Sequence, residues 1–274
     1  MTPKAGEKLP RLLPIRRRDA LRLNDAEARF DDAPGKGKLK DLLEDCAERI
    51  AECQQMLYAD GRFALLVVLQ GRDASGKDGA IRSVFDQVDP QGLHVTGFGV
   101  PTKLEARHDF LWRVHQQVPA RGLIGVFNRS HYEDVIVPRV NRELSHEEWT
   151  QRYRAINDFE RMLSENGVVI LKFFLHMSRA EQRKQLQERV DEPDKNWKFR
   201  MGDLDDRARW PAFTAAYRDA IRVTSTTWAP WYVVPSDDKW TRNCLIAQTV
   251  ADTLERMDLR YPRLPPENRN LRIT

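Results

Sequence analysis

The sequence predicts an α/β fold, a single domain on a central parallel sheet of about five strands with helices on both faces. Three observations lead there. Short apolar runs alternate with longer amphipathic stretches along most of the 274 residues, and parallel strands need such crossover connections. The run FALLVVL (63–69) has no polar position, as a strand buried on both faces requires. Directly after it stands GRDASGKD (71–78), a glycine-rich turn leading from strand to helix.

The elements follow in order. Residues 1–38 are rich in Pro, Gly and charge, with PGKGK (34–38) as a loop, and read as an N-terminal basic arm that docks on the body or on another subunit. From Leu39 the apolar positions Leu39, Leu42, Leu43, Cys46, Ala47 and Ile50 keep helical spacing, and Asp60-Gly61 ends that helix. FALLVVL is the first strand, and an amphipathic stretch after the turn reaches about Val88. Further strands are expected at 93–97, 123–127, 168–175 and 231–235. Helices are expected near 104–117, 146–166, 178–190, 206–223 and 240–258. A mobile insertion is expected at about 179–205. Residues 263–274 read as a C-terminal tail, leaving 39–262 as the domain proper.

Charge narrows the function classes. The chain has 45 Lys and Arg against 41 Asp and Glu, a net +4. Seven basic residues against two acids lie in 1–22, and four against one lie in 259–274. Residues 23–258 hold 34 basic and 38 acidic residues, a net −4. The basic excess is therefore in the tails, and the body offers no basic reading surface for nucleic acid. The longest uninterrupted apolar run is Phe63–Leu69, seven residues, too short to span a membrane, and no apolar segment follows Met1 as a secretory signal would require. Cys46, Cys53 and Cys244 form no paired motif, which favours reduced thiols and a cytoplasmic location. The six histidines show no zinc-ligand spacing.

The turn at 71–78 matches G-x-x-x-x-G-K in the strand-to-helix context that motif needs. Gly71, Ala74, Ser75, Gly76, Lys77 and Asp78 then present backbone N–H groups to a phosphate chain, and the helix N-terminus adds partial positive charge. Lys77 reaches the outer phosphates as a point charge. Two residues depart from the usual pattern. Asp78 replaces the metal-binding hydroxyl, and an acid in a first helical turn is favourable in itself. Asp73 places a carboxylate inside an anion site, where like charges about 4 Å apart repel by roughly 4 kcal/mol at an effective dielectric near 20. A cation between them removes that cost, so Asp73 is expected to help hold Mg²⁺.

The 123–127 strand leads into Asn128-Arg129-Ser130-His131-Tyr132-Glu133-Asp134, at the end of a parallel strand where ligands bind. Asp134 is the expected partner of Asp73 in binding the metal, and Arg129 the expected bidentate phosphate ligand. In 97–113, Phe98 is a candidate for stacking on a base, with packing at least as good an explanation. Lys103 and Arg107 are candidates for the phosphates of an acceptor. In 179–200, Arg179, Arg183, Lys184, Arg189, Lys195, Lys198 and Arg200 precede or flank the helix-breaking DEPDKNWKF (191–199). A lid of this kind suits a kinase, which must exclude water and neutralise the transferring group.

Several motifs in order over about 24–262 are similar to those of the type 2 polyphosphate kinases. They are LLVVLQGRDASGKDGAIR (65–82), PTKLEARHDFLWRVH (101–115), GVFNRSHYEDV (125–135), KFFLHMSRAEQRKQL (172–186), DEPDKNWKF (191–199) and TSTTWAPWYVVPSDDKW (224–240). The resemblance implies a P-loop kinase-like, thymidylate-kinase-like three-layer fold with a helical lid. It also implies Mg²⁺ dependence, with Mn²⁺ as an alternative ion, and homo-dimers or tetramers. Asp73 and Lys77 resemble the essential P-loop pair, and Asn128, Arg129, Glu133 and Asp134 the second motif. Arg183, Arg189, Lys195 and Lys198 resemble the lid that clamps polyphosphate. The FNRSHYEDV form resembles the branch that phosphorylates nucleoside mono- and diphosphates, with Glu133 as its distinguishing acid. Gly99 stands where relatives often carry lysine, and Arg200 where a small hydroxyl residue is usual. The implied activity is reversible transfer of the terminal phosphoryl of polyphosphate to AMP or ADP and to guanine nucleotides. An NTP-dependent P-loop kinase is the alternative, since both donors present a phosphate chain. A nucleic-acid-binding protein using its tails ranks lowest.

Overall fold

The computed structural model describes residues 9–16, 19–269 and 272. Lys4, Lys8, Arg17 and Arg18 of the basic arm lie outside the described residues. Helix α1 (Lys36–Asp60) ends at Gly61, whose φ of 65° closes the last turn through its N–H on the Leu57 carbonyl. Strand β1 (Ala64–Gly71) follows, buried at all eight positions. The chain continues through α2 (Lys77–Val84), β2 (Leu93–Gly97), α3 (Trp112–His115), β3 (Ile124–Asn128), α4 (Glu133–Val140) and α5 (His146–Glu165). It ends with β4 (Val168–His176), α6 (Arg179–Asp191), α7 (Gly202–Ala208), α8 (Trp210–Thr224), β5 (Trp231–Pro235) and α9 (Lys239–Glu255).

The five strands pair in parallel in the order β2-β3-β1-β4-β5. Alternation along β1 feeds two cores. Leu65, Val67 and Leu69 pack with residues of α1, α2 and α9, while Leu66 and Val68 pack with Phe127, Phe159 and Ile170 on the opposite face. Helices α4, α5 and α8 complete that second layer around Phe174 and Trp231. Three layers result, as the strand–helix alternation predicts. From β1 the chain crosses to one side of the sheet, and from β3 it crosses over β1 to β4. The carboxyl ends of these three strands therefore border one crevice.

Three local expectations change, and for the arm one of the two expected placements is seen. Helix α1 begins at Lys36 rather than Leu39. The arm from residue 9 onward is docked on the body: Leu9, Leu23 and Ala28 are buried, and the Ile15 N–H donates to the Trp231 carbonyl at 2.8 Å. The expected helix at 104–117 is a single turn at Glu105–Arg107 and the short α3. Asp109 breaks it by accepting from the Leu111 N–H at 3.0 Å, the local competition with helix that Asp offers. Helix α4 was not anticipated, because Pro138 lies inside it and proline removes one backbone bond. The carbonyl so released, that of Asp134, accepts instead from the Arg152 guanidinium. Among the described residues no helix is long and apolar enough to cross a membrane.

Candidate active site

Leu69 stands opposite Asn128 in the sheet, so the turns leaving β1 and β3 lie side by side. The first is the phosphate loop. Ala74 and Gly76 adopt left-handed backbone, with φ of 67° and 88°, and such conformations cost energy at a non-glycine residue. A Cβ on Gly71 would lie 2.6 Å from Ser75 Oγ and 2.9 Å from the Leu175 carbonyl, so only glycine lets the loop fold against β4. The Lys77 ammonium is buried and donates to the carbonyls of Gly71 (2.8 Å) and Arg72 (3.1 Å). Burial pushes it down to about 8, with the charge of Arg129 adding to the effect.

The second turn begins at Arg129, also left-handed at φ 63° and fixed by its N–H on the Leu69 carbonyl at 3.0 Å. Its guanidinium pairs with the Asp73 carboxylate, so the two turns are joined by charge. Asn128 donates to Asp78 at 2.5 Å, a second link. Glu133 is held from beneath by the Gln70 amide nitrogen at 2.9 Å, while the Gln70 oxygen accepts from Ser130. Burial pushes the Glu133 carboxyl above its usual range against the pull of Arg129 and Lys77. Deeper still, Lys172 donates to Glu160 (2.5 Å), Tyr132 (2.9 Å) and the Thr224 carbonyl (2.8 Å). His131 Nε2 lies 3.2 Å from the same Glu160 carboxylate.

Two cavities flank this junction. One, of about 370 Å³, is bordered by Glu133, Val137, Pro138, Phe213 and Tyr217 of α4 and α8. The other, of about 790 Å³, lies over the phosphate loop beneath Arg189, Trp197, Lys198 and Arg200. Asp73, Phe98, Gly99, Arg129 and Asp206 border both. A group held in one cavity thus meets a group held in the other at Asp73 and Arg129.

Several expected residues take other places. Asp134 lines the smaller cavity, but both of its oxygens accept from Arg113 Nη2, at 3.1 and 2.8 Å. Its carboxylate is thus engaged by Arg113, as that of Asp73 is by Arg129. Through Arg113, which also donates to the Gly99 carbonyl at 2.9 Å, it steadies the 98–101 segment. Phe98 is nearly buried and edge-on to Phe127 at 4.9 Å, and its remaining surface borders both cavities. Lys103 and Arg107 sit on the exposed segment before α3 and line neither cavity. Arg183 faces solvent on α6, and Lys195 pairs with Glu192 (2.7 Å) and Glu188 (3.4 Å), so neither joins the lid cations over the loop. Arg189 does, tethered to Asp203 at 3.1 Å.

The structure adds residues that spacing did not single out. Arg72 stacks over Trp210, its Cζ 3.8 Å from the ring centroid, and donates to Thr214 at 2.5 Å. Asp203 and Asp206 of α7 line the larger cavity, and the carboxyl of each is pushed up by burial and then by the charge of Asp73. The run DLDD (203–206) after a basic lid is the signal that could have drawn notice, as is the lone arginine of FLWRV for Arg113.

The sequence pattern described as polyphosphate kinase 2 matches residues 35–262. The chain belongs to that family. It is 52% identical over 239 residues to the AMP/ADP-polyphosphate phosphotransferase of Meiothermus ruber, covering 87% of this chain and 89% of that protein. It is 43% identical over 241 residues to the ADP-polyphosphate phosphotransferase of Rhodopseudomonas palustris, covering 84% and 83%. The crystal structure of polyphosphate kinase 2 from Arthrobacter aurescens superposes with a TM-score of 0.83 at 42% identity over 86% of each chain. The phosphate loop, the β3–α4 turn and the 179–205 segment described above thus belong to a polyphosphate kinase 2 fold.

Proposed function

We propose that this protein transfers the terminal phosphoryl group of inorganic polyphosphate to AMP and ADP, and to GMP and GDP, in a reversible reaction. The observation that carries the reading is the pair of cavities meeting at Asp73 and Arg129. The larger, with the phosphate loop on one side and lid cations on the other, suits a chain of phosphates. The smaller, with Val137, Pro138, Phe213 and Tyr217 on its walls and the half-buried acid Glu133, suits a nucleotide whose phosphates point at the junction. Relatives of high identity bear the names of AMP/ADP- and ADP-polyphosphate phosphotransferases, which supports the substrate pair.

The acceptor is a phosphate oxygen already ionised near pH 7, since its second pKa is about 6. No strong base is then required, and catalysis is alignment with charge neutralisation. Lys77 and the loop N–H groups hold the donor, and Arg129 spans the junction. Lys198, Arg200 and Arg189 close over the chain. Mg²⁺, when bound, neutralises charge between phosphate oxygens. The oxygen donors available there are carboxylates: Asp73 lines the larger cavity together with Asp203 and Asp206, whose carboxyls are raised by burial first and by the charge of Asp73 second. Among the described residues no three metal-ligating side chains make a complete site. That suits an ion which takes one or two carboxylates and completes its shell with water and substrate phosphates.

Purified protein incubated with ADP, Mg²⁺ and polyphosphate should form ATP, and with AMP should form ADP. Formation of ATP only when a nucleoside triphosphate replaces polyphosphate would favour the NTP-dependent alternative.

A further inference from the structure

Beneath the phosphate loop lies a guanidinium that the transfer does not touch. Arg242 stands in α9, is 6% exposed, and donates from Nη1 to the Ser75 carbonyl at 3.3 Å and from Nε to Asn243 at 3.0 Å. It fills the space left by two glycines. A Cβ on Gly76 would lie 1.9 Å from its Nη1, and one on Gly79 would lie 3.6 Å from its Nη2. The guanidinium therefore packs against the underside of the loop and the first turn of α2 with nothing between.

Among the described residues no carboxylate oxygen lies within 4.0 Å of it. Asp238, the acid whose charge reaches it, is engaged as the α9 cap on the Thr241 N–H at 2.7 Å. A buried cation without a counter-ion is costly, and its setting adds to the cost. The N-terminus of α2 is the positive end of that helix, and Arg242 lies near the positive end of α9 as well. Lys77 is buried in the same loop, and the loop's two acids are engaged elsewhere, Asp73 with Arg129 and Asp78 with Asn128. Packing alone is served as well by a methionine of similar length, which carries no such penalty. The charge is useful if an anion sits on the other side of a thin loop, in a low dielectric that weakens the field little.

We propose that Arg242 is a positioning residue of the donor site, holding the Gly76 turn from beneath and binding polyphosphate through its field without contact. The proposal rests on the larger cavity being the polyphosphate side.

The test compares wild type, Arg242→Lys and Arg242→Met by calorimetric binding of tripolyphosphate and by steady-state kinetics, with melting temperatures recorded. Arg242→Lys, which keeps the charge, should bind tripolyphosphate within about threefold of wild type. Arg242→Met should bind about tenfold or more weakly, with the KM for polyphosphate raised to match and the KM for ADP within about twofold. Its melting temperature without ligand should equal or exceed that of wild type, as removal of an uncompensated charge requires. Wild-type binding by Arg242→Met overturns the proposal, as does a Lys variant as weak as the Met variant, since packing and not charge would then matter. A Met variant that fails to fold overturns it too, by making the charge structural. Failure of wild type itself to bind tripolyphosphate removes the donor assignment and this inference with it.

Discussion

At Lys77 burial and charge work against each other. Its ammonium is enclosed by the loop and pushed down to about 8, against an ordinary value near 10.4. Between those values the unfolded chain holds a proton that the folded one has released, so this residue's contribution to fold stability rises with pH above about 8. Binding has the opposite sign, because a phosphate chain needs the charged form. The kcat/KM for polyphosphate at saturating ADP and fixed ionic strength should therefore fall above pH 8, approaching tenfold per unit. Lys77→Arg should be slower but lose that limb, since a guanidinium stays charged throughout. A wild-type profile flat to pH 9.5 would contradict the assignment. The roles proposed for Lys77 and Asp73 were legible from the motif because loop chemistry is local. The partner of Asp134 was not, because Arg113 reaches it only when α3 packs beside α4.

The β3–α4 turn rests on a polar core shared by three elements. Lys172 of β4 is fully buried, as is Glu160 of α5, and Tyr132 and His131 of the turn bond to them. Burial raises the Glu160 carboxyl, but Lys172 and His131 outweigh it and the net displacement is downward. Removing one partner of such a pair strands the other charge, at a cost of about 3–5 kcal/mol. Lys172→Met should lower the unfolding free energy read from urea denaturation by that order, and adding Glu160→Leu should recover part of the loss. A double variant less stable than the single one would show that the pair is not the source of the effect. In the sequence Lys172 is one polar position in an apolar strand, which marks it as unusual without naming its partner. Glu160 lies in an ordinary amphipathic helix and gives no sign of burial at all.

Over the whole molecule, the strand order decides how two substrates meet. Placing β1 between β3 and β4 sets the phosphate loop beside Arg129 and beneath the lid, so two separate cavities open onto one junction. Among the groups able to accept a phosphoryl near the junction, the Asp73 carboxylate is paired with Arg129, Lys77 faces its own loop, and His131 is buried on Glu160. Direct transfer within a ternary complex is the expected route. Initial velocities with polyphosphate and ADP varied together should give intersecting reciprocal plots. Parallel plots, or a phosphorylated protein isolated after polyphosphate alone, would require a covalent step.

The sequence by itself determined what depends on near neighbours: the alternating strands and helices, the glycines of the phosphate loop, the acid and lysine within it, and the family motifs. It placed the basic excess in the tails and so removed a nucleic-acid surface from the body. Only the tertiary structure decided what depends on distant segments. It gave Asp134 to Arg113 and set Asp203 and Asp206 near Asp73. It left Lys103 and Arg107 outside the cavities and put Arg242 under Gly76, 166 positions away in the chain. Charge interactions act through space, and which charges come together is settled by the crossovers of the sheet rather than by spacing along the chain.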